Sequence, residues 1–350
     1  MINSRLLAMA GMALSQLFLC TLAVAQPEVS RVDSVSISVS DLQRSVEFYR
    51  DVLGFREVAE REQSGNDMEH MFGVFGMRVR VERMQLGEEF IELTQFLAPR
   101  GRPMPADTRA NDGWFQHVAI IVSDIEKGYS RLRSFKVEQA STGPQRLPDW
   151  NPNAGGIKAY YFRDPDGNFL ELLEFPPGKG NQKWARRDGT LFLGIDHTAI
   201  VVADTEASLH YYRDLLGMKV VGRSENYGTE QEHLNNVFGA RLRITTLHAA
   251  AGPGVELLEY LAPRSGRAYP ADTLPNDHWY WQTNLRTADL GALAGAALDA
   301  HVSSYAGGVT RLSDASPGYQ AGLVLRDPDG HACLLAEESS ASREGRDRSH

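Results

Sequence analysis

The chain carries an internal duplication. FYRDVLG at residues 48–54 returns as YYRDLLG at residues 211–217, and DPDG at residues 164–167 returns at residues 327–330, so both pairs lie 163 residues apart. Residues from about 31 to 176 are thereby repeated from about 194 to 338, and PPGKGNQ at residues 176–182 reads as a linker. A chain of 350 residues built this way has room for two similar medium-sized domains.

Each half divides again into two units. Four segments read as a strand that ends in Asp, and in each the Asp comes seven positions after the first residue: 34–41, 117–124, 197–204 and 282–289. An Asp in this position predicts a helix N-cap, because its carboxylate accepts the free amides of the first turn. After Asp41 the apolar residues recur with helical spacing as far as Leu53, and Gly54 closes the helix.

Strands follow each predicted helix. Apolar residues alternate in the runs 78–82, 90–96, 160–163 and 169–175. DPDG between two such runs predicts a hairpin turn, with Pro at the second position and Gly at the fourth. Each unit is therefore a βαβββ module, and the predicted fold class is α+β with four tandem modules, bounded at 30–99, 114–177, 193–263 and 279–338.

These motifs together resemble the vicinal oxygen chelate superfamily, in which HxAIxVxD first strands, FYRDxLG helix ends and DPDGNxxEL hairpins recur. The resemblance covers nearly all of the chain after the first residues. It implies two glyoxalase-like domains, residues 30–177 and 193–338, with half-barrel sheets and a linker at 178–192. Because the superfamily includes glyoxalase I, methylmalonyl-CoA epimerase, extradiol dioxygenases and antibiotic-resistance proteins, the resemblance implies the fold more narrowly than the chemistry.

The ends of the chain predict processing rather than packed structure. Residues 1–25 read as a signal peptide, with a charge at Arg5, an apolar stretch over 6–22 and a small-residue cleavage site, AVA. A membrane anchor is the alternative, but Ser15 interrupts the apolar run. We expect an exported protein, periplasmic or secreted, with no membrane contact after cleavage and a disordered tail at 339–350. Cleavage would leave Cys333 as the only thiol, without a disulfide.

The resemblance also implies where metal ligands would lie. In the superfamily they come from the start of each module's first strand and the middle of its last strand. Carried over module by module, these positions are Ser34 and Glu92, His117 and Glu171, His197 and Glu256, and Gln282 and Leu334.

Strand geometry favours the same positions independently. His117 shares a strand face with Phe115 and Ala119, and Glu171 shares one with Phe169 and Leu173. A carboxylate on an apolar face is costly to bury unless it is paired or bound to a cation. For a single strand histidine the alternative is a hydrogen-bonded core residue. Acids on the other strand faces, such as Glu174 and Glu259, are expected to be solvated.

Two module pairings remain open. If neighbouring modules pair, each cleft holds one histidine and at most two carboxylates. If the modules of different halves pair, as the resemblance to glyoxalase I favours, His117, Glu171, His197 and Glu256 meet in one cleft. The other cleft then holds a degenerate set: Ser34, Glu92, Gln282 and Leu334.

Two imidazoles and two carboxylates suit one octahedral divalent ion of Ni, Co, Mn, Fe or Zn, with two positions left for neighbouring substrate oxygens. The function predicted from this set is a glyoxalase-type lyase or isomerase on a small oxygenated substrate, working through a metal-chelated enediolate, with Glu171 or Glu256 as the base. Alternatives are an extradiol dioxygenase and a non-catalytic ligand-binding protein.

The charge of the chain and two further histidines bear on its partners. A net charge of −9 without a Lys/Arg block disfavours nucleic acid, so a small molecule is the expected partner of a monomer or homodimer. His70 and His233 recur before the central strands and are possible substrate-facing residues; a solvated capping role is the alternative.

Overall fold

A computed structural model describes residues 28–185, 188–313 and 318–337. The predicted signal peptide and the predicted disordered tail lie outside these ranges, so both stay predictions, as does export. Within the described ranges, no helix combines the length and the apolar character needed to cross a membrane.

The four modules follow one another along the chain. The first module contains β1 (Val29–Ser38), α1 (Leu42–Glu47), β2 (Arg56–Ser64), α2 (Asn66–Phe72), β3 (Arg78–Leu86) and β4 (Glu89–Ala98). The second contains β5 (Gln116–Val122), α3 (Ile125–Ser134), β6 (Gln145–Arg146), β7 (Lys158–Arg163) and β8 (Phe169–Glu174). Each unit has the predicted order of strand, helix and three strands, and the first module adds the short helix α2.

The second half repeats this order. The third module contains β9 (Phe192–Val202), α4 (Thr205–Leu209), β10 (Lys219–Tyr227), α5 (Thr229–Asn235), β11 (Arg241–His248) and β12 (Gly254–Ala262). The fourth contains β13 (Trp281–Thr287), α6 (Leu290–Asp299), β14 (Thr310–Arg311), β15 (Ala321–Arg326) and β16 (Ala332–Glu337). Two π-helical turns, Phe48–Val52 and His210–Leu215, extend α1 and α4, and a 3₁₀ turn at Gln182–Trp184 lies in the segment between the halves.

Two eight-stranded sheets are formed, and each combines modules from different halves. One has the order β14-β15-β16-β13-β1-β4-β3-β2, and the other has the order β10-β11-β12-β9-β5-β8-β7-β6. The seams are antiparallel pairs, β1 with β13 and β5 with β9. The sheets therefore confirm the predicted α+β fold and the pairing of modules across the halves.

Local signals in the sequence form as expected. Each of the four predicted N-cap residues accepts a backbone amide in the first turn of its helix: Asp41, Asp124, Asp204 and Asp289. The DPDG turn closes with the Gly167 amide donating to the Asp164 carbonyl at 3.0 Å, and Gly167 has φ 87°, a left-handed value that glycine adopts readily.

The same turn joins the two sheets. The Asp164 carboxylate accepts the amides of Asp166 and Asn168 at 2.8 and 2.9 Å, and it also accepts the hydroxyl of Tyr49 at 3.2 Å. Tyr49 belongs to the first module and Asp164 to the second, so this bond crosses from one sheet to the other. Tyr212 and Asp327 repeat it in the second half at 3.0 Å.

The central strand β5 shows how one sheet serves two cores. Val118, Ile120 and Val122 pack into the cluster that also holds Tyr49. Ile121 packs into a different cluster with Phe115, on the side of the sheet that carries His117. Alternation along the strand thus separates the face that packs the protein together from the face that lines a cleft.

Candidate metal centre

Two histidines meet at the seam between β5 and β9. In the antiparallel register His117 lies opposite Ala199 and His197 lies opposite Ala119. The two rings are therefore diagonal neighbours on one face of the sheet, and their centroids are 5.6 Å apart. Cross-pairing of the modules is what brings residues 80 positions apart into this contact.

Two carboxylates join them from the neighbouring strands. Glu171 on β8 and Glu256 on β12 flank the seam, because β8 runs parallel to β5 and β12 runs parallel to β9. Glu171 Oε2 is 3.2 Å from His117 Nε2 and 3.7 Å from His197 Nε2. Glu256 Oε2 is 3.3 Å from His197 Nε2. Ligand atoms of His117, Glu171 and His197 lie within 4.8 Å of one another, close enough to share one ion.

The His117 ring has unused binding capacity. The residue is only 1% exposed, yet neither ring nitrogen has a hydrogen-bond partner among the described residues. The 3.2 Å approach of Glu171 Oε2 to Nε2 is a close contact without hydrogen-bond alignment. Buried polar atoms are normally satisfied, so this imidazole fits a position that an ion completes. The hydrogen-bonded core role considered as the alternative lacks its bond.

His197 is oriented by residues that sequence reasoning did not identify. Its Nδ1 is 3.0 Å from Asp196 Oδ2, and Asp196 Oδ1 accepts Trp184 Nε1–H at 3.0 Å. A carboxylate behind a histidine fixes the ring, and here it leaves Nε2 directed at Glu171 and Glu256, where an ion could bind. Asp196 is adjacent to His197 in the sequence, and this adjacency was the only sign of its orienting role. Trp184 lies in the predicted linker.

Charges in the cleft perturb its titrating groups. Burial disfavours the imidazolium of His197, but the carboxylates of Glu256, Asp196 and Glu171 outweigh it and raise the pKa of His197 to about 9. For Tyr161, burial and the nearby Glu171 carboxylate raise the pKa well above its ordinary value, against a smaller lowering by the Asn235 amide. At neutral pH the imidazolium form of His197 is therefore favoured beside these acids.

The four residues border a cavity of about 820 Å³. This volume lies in the range of small-molecule sites. The side chain of Glu256 is 19% exposed, whereas that of Glu171 is 5% exposed. The cavity has room for a metal and a substrate together.

The other cleft has a different content. Glu92 on β4 forms ion pairs with Arg61 at 2.8 Å and Arg83 at 3.0 Å. Gln282 and Ser34 are tied through the Asn284 amide, which accepts from Gln282 at 2.7 Å and donates to Ser34 at 2.8 Å. The four predicted degenerate positions therefore lie in one cleft, where guanidinium groups neutralise the remaining acid.

Packing closes what is left of that cleft. Leu334 belongs to an apolar cluster with Met68, Phe72 and Val324. The remaining cavity is about 40 Å³, against about 820 Å³ for the main cavity.

Three further residues can be placed, and for His70 and His233 the exposed position agrees with the solvated alternative. His70 and His233 are exposed on α2 and α5, whereas Gln231, two residues before His233, lines the main cavity. The expectation that Glu259 is solvated is wrong: it is 6% exposed, accepts the Thr205 hydroxyl at 2.7 Å and forms an ion pair with Arg243 at 2.8 Å. The N-terminal turn of α4 covers that face of the sheet.

Each half of the chain separately matches one known protein family. Residues 31–172 and 194–334 both match the family described as Glyoxalase/Bleomycin resistance protein/Dioxygenase superfamily. The chain belongs to this superfamily. It is 30% identical over 158 residues to a 2-epi-5-epi-valiolone epimerase of an Actinomyces species, covering 43% of this chain and 83% of the epimerase.

Two other superfamily members are similar over longer stretches. A lactoylglutathione lyase of Schizosaccharomyces pombe is 26% identical over 204 residues, which is 56% of this chain and 62% of the yeast protein. The crystal structure of glyoxalase I from Zea mays superposes with a TM-score of 0.56 at 17% identity, over 91% of this chain and 96% of the maize chain. This superposition shows a common fold.

Proposed function

We propose that the protein is a divalent-metal-dependent lyase or isomerase of the glyoxalase type, with one metal centre per chain. The observation that carries the proposal is the meeting of His117 and His197 with Glu171 and Glu256 in one cavity. Relatives named as an epimerase and as a lactoylglutathione lyase support the same reaction class.

The donor set fits a divalent ion. His117 has two buried nitrogens without partners, and the Nε2 atom of His197 faces both acids while Asp196 holds its other nitrogen. Imidazole with carboxylate is the ligand chemistry of Ni, Co, Mn, Fe and Zn. A bound ion would supply Lewis acidity, holding two neighbouring substrate oxygens and stabilising negative charge as the adjacent carbon loses a proton.

The chain's own residues would then handle the proton. Glu171 and Glu256 approach the cavity from opposite sides of the histidine pair, so either carboxylate can face the substrate carbon as a general base. Thr246 donates to Glu256 Oε1 at 2.6 Å, which fixes that carboxylate and leaves Oε2 toward His197. Glu171 is more deeply buried, where water competes less for its charge.

The proposal is tested in two steps on the purified protein. Elemental analysis after reconstitution with each of the five metals is expected to show one ion per chain. Hemithioacetals of 2-oxoaldehydes with thiols, and α-hydroxyketones, are then screened in D₂O by NMR for solvent deuterium at the carbon next to the carbonyl.

Matched variants assign the base and control the screen. Glu171→Gln and Glu256→Gln each keep the side-chain volume, and loss of the base is expected to slow exchange by about 10²-fold at saturating metal. His233→Ala, an exposed change on α5, is the control. Absence of any bound ion would overturn the proposal, and so would oxygen uptake with ring cleavage of catechols.

A further inference from the structure

Three polar residues beside the candidate metal centre have no part in the proposed proton transfer. Tyr161 on β7 lies directly opposite Glu171 in the β7–β8 register, so both side chains occupy the same face of the sheet. Its ring is 5.0 Å from that of His117. Gln231 and Asn235 lie one turn apart on α5, and all three residues are at most 4% exposed. Tyr161 and Gln231 line the main cavity.

Helix α5 is fastened to the strand that carries Tyr161. The Ser141 hydroxyl accepts the Tyr161 amide at 2.7 Å and donates to the Leu234 carbonyl at 2.6 Å. The Thr142 amide donates to the His233 carbonyl at 3.1 Å. Because these bonds join the second module to the third, the positions of Gln231 and Asn235 above the cleft are fixed by the fold.

The two amides leave hydrogen-bonding capacity unused. Gln231 Nε2 donates to Asn235 Oδ1 at 2.5 Å. Gln231 Oε1 and Asn235 Nδ2 have no hydrogen-bond partner among the described residues, and the Asn235 amide lies near the Tyr161 hydroxyl. Turning both amides over exchanges their atoms but still leaves one donor and one acceptor. A buried, unpaired polar atom is costly, and a ligand in the cavity is the partner that would remove this cost.

The duplication provides an internal comparison. Counting 163 residues along the chain relates Tyr161 to Val324 and Glu171 to Leu334, and the same count relates Met68 to Gln231 and Phe72 to Asn235. The four counterparts pack into a single apolar cluster, in the cleft whose cavity is about 40 Å³. Where the ligand carboxylate is absent, the three polar groups are absent with it. They therefore belong with the metal centre rather than with the packing of the module.

We propose that Tyr161, Gln231 and Asn235 form a subsite for a neutral hydroxyl group of the substrate, next to the two oxygens that chelate the ion. A hydroxyl both donates and accepts, which matches one free donor, one free acceptor and a phenol. The subsite has no cationic residue of its own, and the acids Glu171 and Glu256 lie beside it, which disfavours a substrate carboxylate there. This inference rests on the proposed metal-dependent function.

The test uses two hydroxamates that chelate a metal alike and differ by one hydroxyl. Acetohydroxamate and glycolohydroxamate are titrated calorimetrically into the nickel-loaded full chain. The affinity for acetohydroxamate measures binding to the metal alone. The ratio of the two affinities measures what the subsite adds for the extra hydroxyl. Glycolohydroxamate is expected to bind about tenfold more tightly, since one buried hydrogen-bonding group is matched or left unmatched.

The variants copy the chain's own duplicate. Gln231→Met introduces the residue found at position 68, and Tyr161→Phe removes a single oxygen atom and serves if the first variant does not fold. Each is expected to retain nickel and to reduce the tenfold ratio to about one, while the exposed change His233→Ala leaves it unaltered. Equal affinities in the unmodified protein would overturn the subsite and leave the proposed function standing. Failure of acetohydroxamate to bind would overturn both.

Discussion

Replacing the two histidines separately by leucine should change metal-free stability in opposite directions. His117 is buried with two unpaired nitrogens, and leaving such groups unsatisfied costs about 1–3 kcal/mol. His117→Leu removes those polar atoms at nearly constant volume. We expect the free energy of unfolding of the metal-free protein to rise by about 1 kcal/mol.

His197 has the opposite role in the metal-free protein. It lies 3.0 Å from Asp196, 3.3 Å from Glu256 and 3.7 Å from Glu171, so its loss leaves buried carboxylates without their cation. Breaking a buried ion pair from one side costs about 3–5 kcal/mol. His197→Leu is therefore expected to destabilise the metal-free protein by about 3 kcal/mol.

With metal, the unmodified protein should become more stable than His117→Leu. An ion at a concentration 100-fold above its dissociation constant adds about 2.7 kcal/mol to a protein that binds it only when folded. The unmodified protein is expected to gain this amount of stability when nickel is added, whereas the stability of each leucine variant is expected to stay unchanged.

Urea unfolding with EDTA and with nickel measures all six stabilities, and an unchanged slope against denaturant verifies that the same transition is followed. If His117→Leu destabilises the EDTA-treated protein as much as His197→Leu does, His117 is a bonded core residue and the reasoning fails.

Four further outcomes follow from the structure. The raised pKa of His197, about 9, means that metal must displace a proton below that pH, so apparent affinity in chelator competition should rise about tenfold per unit from pH 7 to 9. In the metal-free protein the stabilisation from that proton is complete below pH 6.5 and disappears as the pH rises through 9, which urea unfolding at several pH values measures. Tyr49→Phe should lower the free energy of unfolding by about 1 kcal/mol without altering metal content. Leu334→Glu places a carboxylate in an apolar cluster, so it should lower the free energy of unfolding by about 3 kcal/mol. Elemental analysis of this variant should show no second ion.

Features set by local chemistry could be predicted from the sequence. An aspartate before a helix and a DPDG turn satisfy their own backbone groups, so they specify structure within a few residues. The pairing of modules across the halves was also accessible, because only that pairing gathers His117 and His197 with both acids in one cleft. The N-caps and the turn needed only the local sequence, whereas the preference between the two pairings also used the resemblance to glyoxalase I.

Features set by contacts between distant segments could not be predicted. Arg83 lies directly opposite Glu92 in the β3–β4 register, and Arg61 reaches the same carboxylate from β2. Strand arginines give no sign of these partners in the sequence. The helical phase of α5, which exposes His233 and turns Gln231 inward, depends on where the helix begins. A shift of two residues in that start would exchange their roles.

The last hairpin in each half has two separate roles, one in its turn and one in the strand that follows. The DPDG turn accepts a tyrosine hydroxyl from the preceding module, at 3.2 Å for Asp164 and 3.0 Å for Asp327, and so connects the sheets in both halves. The strand after the turn lines a cleft: Glu171 on β8 lines the main cavity, and Leu334 on β16 lines the small cavity of the second cleft. Because adjacent strand residues face opposite ways, the cleft face can lose its carboxylate while the turn keeps its structural task. Both halves therefore retain the scaffold, and only one cleft combines two histidines with two carboxylates.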